Sequence, residues 1–277
     1  MKFRITILCE NSVGPISGTL GEHGFAALIE PDGTAPLLFD TGQGFTLLHN
    51  ARRMNKDLSK TAGVVISHGH YDHTGGLLPL LQEHGPKKVY GHPGMFRDRH
   101  RVKDTGECWS ISIPHERKEL ELAGAEFDLS ADFREIAPRI YLTGEIPRAT
   151  AFETGDQGLY CDCTGQEIDT TPDDQSMILE TDKGLVIIMG CCHAGLVNTL
   201  EHVAYSMGRR DIYAVAGGTH LGFCGQEQLD RTISALKGWG VHKVAASHCT
   251  GFAAAARLSR EMPKEFQLAM VGYSLEI

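Results

Sequence analysis

The sequence predicts an α/β fold in which short buried strands alternate with amphipathic helices. Three observations carry this. Apolar runs of strand length recur, such as "TAGVVIS" and "GLVIIMG"; runs with helical spacing directly follow several of them; and the chain has two halves of similar order, each placing a histidine-bearing turn after an apolar strand.

The elements follow in order. "RITILCE", "FAALIE" and "PLLFDTG" are β-prone runs separated by Gly, Pro, Asn and Asp, so the N-terminal part reads as a meander, and "FTLLHNARRMN" has helical spacing. "TAGVVIS" is a buried strand, "TGGLLPLLQEHG" a helix with a glycine stop, and "KKVYGHPG" a further strand. Residues 95–138 lose any clear period and are expected to form a lid or insertion within a single domain spanning 1–277. The second half resumes with the strands "RIYLTG", "SMILET" and "GLVIIMG", the helix "LVNTLEHVAYSMG", the strand "DIYAVAGG", the helix "QEQLDRTISALKGWG", the strand "HKVAASHC" and the helix "FAAAARLSREM".

Composition narrows the function. With 277 residues and 42% hydrophobic content the chain can bury a substantial core. A formal charge of −9 argues against coating nucleic acid or anionic lipid, so a small-molecule substrate is expected and no nucleic-acid partner. "MKFRITILCEN" reads as a strand rather than a signal peptide, and no run approaches membrane-spanning length, so a cytoplasmic location is expected. In that setting the eight cysteines are expected to be reduced thiols rather than a disulfide framework, and their spacing lacks the paired CxxC units of a structural zinc site.

"VVISHGHYDHTGG", residues 64–76, concentrates three histidines and an aspartate as H-x-H-x-D-H, a pattern expected about 0.002 times by chance in this composition. His68 and His70 are two apart and point the same way in extended chain, while Asp72 and His73 follow in the turn, so one motif can serve two adjacent metal positions. Imidazoles with one carboxylate suit Zn²⁺ first, with Fe or Mn as further choices, at one or two ions per chain. His193, His220 and His248 also follow strand ends; His193 and His248 are taken as ligands, and His220 as a substrate-contacting or ligand-supporting group.

"FDTG" at 39–42, "SHGHYDHTGG", the His after a later strand and the final "SHCTG" together resemble the metallo-β-lactamase superfamily over essentially the whole chain. The resemblance implies a four-layer αββα sandwich with metals at its open edge. It implies His68, His70 and His193 on one metal and Asp72, His73 and His248 on the other, with Asp40 orienting a ligand imidazole. Where many members carry Gly-Asp to bridge the metals, this chain has Gly190-Cys191-Cys192-His193; Cys191 is either a thiolate ligand or a buried free thiol.

"LTGEIPR", "DDQSMILE", "GCCHAGLVNTL", "GGTHL" and "SHCTG" resemble the branch named for 7,8-dihydropterin-6-methyl-4-(β-D-ribofuranosyl)-aminobenzene-5′-phosphate synthase, many of whose members are called metal-dependent hydrolases. The chemistry expected is hydrolysis of a small anionic or phosphorylated molecule, because a metal lowers the pKa of bound water from about 15.7 to about 7. Asp72 or His220 would manage protons. The alternatives are a transferase condensing a pterin diphosphate with a ribofuranosylaminobenzene phosphate, and a non-catalytic metal sensor. Glu145 and Arg148 offer either a substrate clamp or a surface salt bridge, and Asp173 and Asp174 are expected to cap the next strand rather than approach the metal rim.

Overall fold

In the computed structural model, which describes residues 1–277, β1 (Phe3–Cys9), β2 (Ala26–Pro31) and β3 (Leu37–Phe39) form the antiparallel meander that the alternating runs predict. From β3 the sheet turns parallel. Helix α1 (Leu47–Arg53) crosses to β4 (Gly63–Val65), and α2 (Tyr71–Thr74) with α3 (Leu77–His84) crosses to β5 (Lys87–Gly91). Parallel neighbours need such crossovers, and these deliver strand C-terminal ends to a single edge.

After β5 come β6 (His100–Val102), β7 (Cys108–Ser110), α4 (Arg117–Leu122), β8 (Ala125–Leu129), β9 (Arg134–Ala137), β10 (Ile140–Leu142) and β11 (Leu159–Tyr160). The hairpin β12 (Ser176–Thr181) to β13 (Gly184–Met189) opens the second regular half. There α5 (Leu196–Met207), β14 (Ile212–Gly218), α6 (Gln226–Gly238), β15 (Lys243–Ser247), α7 (Gly251–Glu261) and β16 (Phe266–Leu268) alternate, with β13 to β16 parallel. A last strand, β17 (Ser274–Glu276), returns to pair with β1.

Two seven-stranded sheets result, ordered β17-β1-β2-β3-β4-β5-β8 and β16-β15-β14-β13-β12-β10-β9, with a separate three-stranded sheet β11-β6-β7. The two large sheets face each other through Ile5, Phe39 and Val65 on one side and Met177, Val186 and Ile188 on the other. Behind the first sheet, Leu28 and Val64 pack on Leu77 and Leu80 of α3; behind the second, Ile187 and Val215 pack on Leu200, Leu236 and Leu258 of α5 to α7. The order of layers is therefore αββα. It explains why all six residues of β13 are buried: alternate side chains enter the inter-sheet core and the helix layer, which a strand covered on both faces requires.

Two expectations are corrected. The stretch 95–138 is not one insertion, because its second part supplies β8 and β9 to the edges of the two large sheets; only β6 and β7 leave the sandwich, to pair with β11 from a later loop. Their periodicity was hidden because edge strands with one exposed face carry mixed side chains. The cysteines are not all free: Cys108 and Cys163 form a disulfide that ties β7 to the turn after β11, a pairing between residues 55 apart that no local motif announces. The other six are thiols.

Candidate metal centre

The two sheets bring their strand ends together at one edge. After β3 comes Asp40, after β4 the segment Ser67 to His70, and α2 carries Asp72 and His73. From the second sheet, β13 leads to Cys191 and His193, β14 to His220 and β15 to His248. Of the seven non-glycine residues with positive φ, four lie here: Asp40 (58°), Cys192 (65°), His220 (55°) and His248 (52°). Left-handed backbone is unfavourable for these side chains, so the abrupt turns that aim them at the rim are held by the surrounding structure.

His68, His70 and His193 form the first group, with ligand atoms all within 4.8 Å of one another. His68 Nε2 lies 3.0 Å from His70 Nδ1, and the His193 ring centroid lies 4.9 Å from each of theirs. Burial, then the Arg99 charge, pulls the His70 pKa down to about 3, and burial with neighbouring imidazoles lowers His68 and His193 well below the usual range. All three are therefore neutral and present lone pairs. His70 Nε2 and both ring nitrogens of His193 are buried with no hydrogen-bond partner, a state that native proteins rarely leave unrelieved. A cation bound by imidazole relieves it, so the donor set fits a metal.

Asp72, His73 and His248 form the second group. Asp72 Oδ2 lies 3.3 Å from His248 Nε2 and 3.7 Å from His73 Nε2, while His73 Nε2 and His248 Nε2 are 3.3 Å apart. Burial opposes charge on His73, but Asp72 and Asp40 outweigh it and push its pKa up to about 9. This pole is carboxylate-rich where the first is purely imidazole. Cys191 borders both groups: its Sγ is 3.3 Å from His73 Nε2, and it clusters with His68 and His73, with His193 and His220, and with His248 and Cys249. Burial raises its thiol pKa well above the ordinary value.

The bracing around these groups accounts for several residues. Asp40 accepts from Ser67 N and Ser67 Oγ and lies 2.7 Å from His73 Nδ1, so one buried carboxylate fixes both the β4 turn and an imidazole. Asp173, expected to cap a strand, instead accepts from Gly69 N between His68 and His70 and pairs with Arg99, which is 0% exposed and also meets Asp169 at 3.0 Å. Asp174 accepts from Ala194 N beside His193; burial raises its pKa to about 6. Gly69 and Gly190 are dictated by space, since a Cβ at either would overlap the Met95 carbonyl oxygen or the Ser67 hydroxyl. Glu153 accepts from Val197 N and Asn198 N, capping the start of α5 just after His193.

A cleft of about 290 Å³ opens over both groups, lined by His70, Asp72, His193, His220 and His248 from the sandwich and by Arg101, Trp109 and Leu159 from the small sheet. The small sheet is thus a roof. His23, which sequence reasoning did not single out, lies in the same cleft with Nε2 3.2 Å from Asp72 Oδ2. His220 stands beside His193, ring centroids 4.2 Å apart, and its Nε2 is 3.3 Å from Asp156 Oδ2, a carboxylate that Arg101 also contacts. Arg148 does not point its fork into the cleft: it donates to His193 O at 2.6 Å and to Thr170 O, and so braces the β13 turn. Glu145 is exposed and does not line the cleft. The basic residue over the centre is Arg101, invisible in sequence because β6 is a three-residue strand with no period.

The profile of the metallo-β-lactamase superfamily matches residues 20–191. The chain is 30% identical to the 7,8-dihydropterin-6-methyl-4-(β-D-ribofuranosyl)-aminobenzene-5′-phosphate synthase of Methanocaldococcus jannaschii over 97% of its own length and 95% of the relative's. Among solved structures, a metal-dependent hydrolase of the β-lactamase superfamily superposes with a TM-score of 0.84 at 29% identity, covering 99% of each chain. Zn²⁺-bound PqqB from Methylobacterium extorquens shares the fold with a TM-score of 0.59 at 14% identity, covering 99% of this chain and 100% of that one. By these likenesses, its αββα layers and its histidine-rich rim, the chain belongs to the metallo-β-lactamase superfamily of metal-dependent enzymes.

Proposed function

We propose that the chain is a hydrolase of a small anionic or phosphorylated molecule, with zinc in one or two positions and iron or manganese as the other metals such donors accept. His68, His70 and His193 would hold one ion, and Asp72, His73 and His248 the other, with Cys191 between them. When bound, the metal supplies Lewis-acid polarisation and an activated water at neutral pH. The observation that carries the reading is the stacking of layers: the unpaired imidazole nitrogens of His70 and His193 beneath, a cleft, and Arg101 with Trp109 above.

The chain's own groups then divide the work. Arg101 binds the anionic part of the substrate by exchanging its contact with Asp156, and Trp109 covers an unsaturated ring or excludes water. Burial lowers the His220 pKa, but Asp156 and Cys249 outweigh this and push it up to about 9, so His220 carries a proton at neutral pH and delivers it to the leaving group. Asp72, held ionised by His73, His23 and His248 against the cost of burial, acts as an acceptor.

A second reading, the transferase that joins a pterin diphosphate to a ribofuranosylaminobenzene phosphate, is favoured by the 30% identity to the archaeal synthase along nearly the full chain. The test is metal analysis of protein purified without added metal, followed by a panel of esters, lactones, phosphodiesters and a pterin diphosphate on the native chain and His70→Ala. Hydrolysis of panel members that disappears in the variant supports the first reading. Turnover of pterin diphosphate alone, and only with the aryl phosphate acceptor, replaces it with the second. Active protein without metal, or unchanged turnover in the variant, overturns both.

A further inference from the structure

The roof sheet has two faces. Register pairs Arg101 with Trp109 and with Leu159, and these three side chains line the cleft. Because successive strand residues alternate, His100, Val102, Cys108 and Ser110 belong to the opposite, outer face. That face is approached by the turn after β11, where a Cβ at Gly165 would meet Val102 and Tyr160 at 3.8 Å. Under this turn, His100 Nδ1 is buried without a hydrogen-bond partner, and the sulfurs of Cys108 and Cys163 lie with a His100 ring nitrogen inside a 4.8 Å group.

The disulfide satisfies the two sulfurs but leaves His100 Nδ1 orphaned, which a buried polar atom seldom is. Two thiolates and one imidazole satisfy all three atoms at once if a soft divalent ion sits among them. We propose that His100, Cys108 and Cys163 form a second, zinc-binding site on the outer face of the roof when the disulfide is reduced, separate from the centre beneath the cleft. One dithiol, or two molecules of a monothiol, gives two electrons and two protons to the Cys108–Cys163 bond and is itself oxidised to a disulfide. Zn²⁺ then displaces the two thiol protons to solvent and takes the His100 lone pair, with water in the remaining position. The site needs no CxxC spacing, because strand pairing and the turn after β11 assemble it from distant segments. In either redox state β7 stays tied to that turn, by a covalent bond or by the ion, so the roof that carries Arg101 and Trp109 keeps its anchor.

The experiment uses the full chain freed of metal by chelation, with one portion kept oxidised and one reduced by a dithiol under inert gas. Each is equilibrated with zinc chloride, desalted and analysed for zinc per chain; cobalt chloride in parallel reports thiolate-to-cobalt absorption. The proposal expects the reduced protein to retain one zinc more than the oxidised protein and to gain a thiolate-to-cobalt band. Cys108→Ser with Cys163→Ser, and separately His100→Ala, should lose that extra zinc while keeping the zinc of the main centre. Equal zinc content in reduced and oxidised wild type overturns the proposal without reliance on any variant. Retention of the extra zinc by the doubly substituted chain overturns it as well, because the ion then lies elsewhere.

Discussion

The two halves of the molecule contribute to one centre in different ways. In the first half the ligand side chains are braced: His73 Nδ1 meets Asp40, His68 Nδ1 meets Ser67 Oγ at 2.9 Å, and the Gly69 amide between the two histidines is held by Asp173. In the second half only His248 has a comparable partner, Asn11 Oδ1 at 3.0 Å, while the ring nitrogens of His193 and of His220 have no hydrogen-bond partner and His220 has only the Asp156 carboxylate 3.3 Å away. The first half is a rigid template fixed by a dense local motif. The second is fixed through its backbone, by Arg148 on His193 O, Asp174 on Ala194 N and Glu10 on His248 N, and leaves the rings of His193 and His220 to what they bind.

That contrast can be broken at several points. The largest effect is expected from His70→Ala, which removes a template ligand and should lower turnover at least about 100-fold, since metal polarisation supplies several kcal/mol of transition-state stabilisation; steady-state kinetics with metal content measured on the same sample check this. Gly69→Ala should destabilise the fold by about 2–4 kcal/mol, read from the denaturant midpoint, because a methyl group there meets the Met95 carbonyl oxygen, which the backbone cannot yield cheaply. Chelating the metal should lower Tm by about 5 °C relative to protein with zinc at about 100 times its Kd, through mass action on the folded state. Hydrogen exchange should then rise more at His193 and His220 than at His68 and His70, and a uniform rise would erase the contrast between halves.

Smaller effects sharpen it. Asp40→Ala should weaken metal affinity about 10- to 100-fold in a chelator competition. Asn11→Ala, which frees a ligand of the second half, should cost only about 5-fold, the worth of a single neutral hydrogen bond; equal losses would show that both halves are braced alike. Arg101→Ala should raise KM for an anionic substrate about 10-fold with little change in kcat, and Arg101→Lys should restore part of it.

What the sequence disclosed follows the same division. H-x-H-x-D-H was legible because its residues are contiguous, and β12 to β15 were legible because strands covered on both faces must be apolar throughout. The roof was not, since β6, β7 and β11 are two or three residues long and take their meaning from pairing. Arg99, Asp169 and Asp173 look like ordinary surface charges in the sequence, yet pair in full burial across a span of 74 residues. Arg148 misled for a related reason: its chemistry suited an anion, and only the position of the His193 and Thr170 carbonyls shows where its donors go. His23 carries no motif at all; the loop that bears it passes the Asp72 backbone, with Phe25 N bonded to Asp72 O at 3.2 Å.

The left-handed backbone at Asp40, Cys192, His220 and His248 has a consequence for how the protein can change. Glycine removes the local steric cost at each of these positions, and asparagine pays less of it than most side chains do. At His220 and His248 such replacements would ease the backbone while deleting an imidazole. In a lineage that no longer needs the reaction, drift should reach these two histidines before it reaches His68 or His70, whose φ values carry no such strain, and the second half would fall silent while the template half still looked intact.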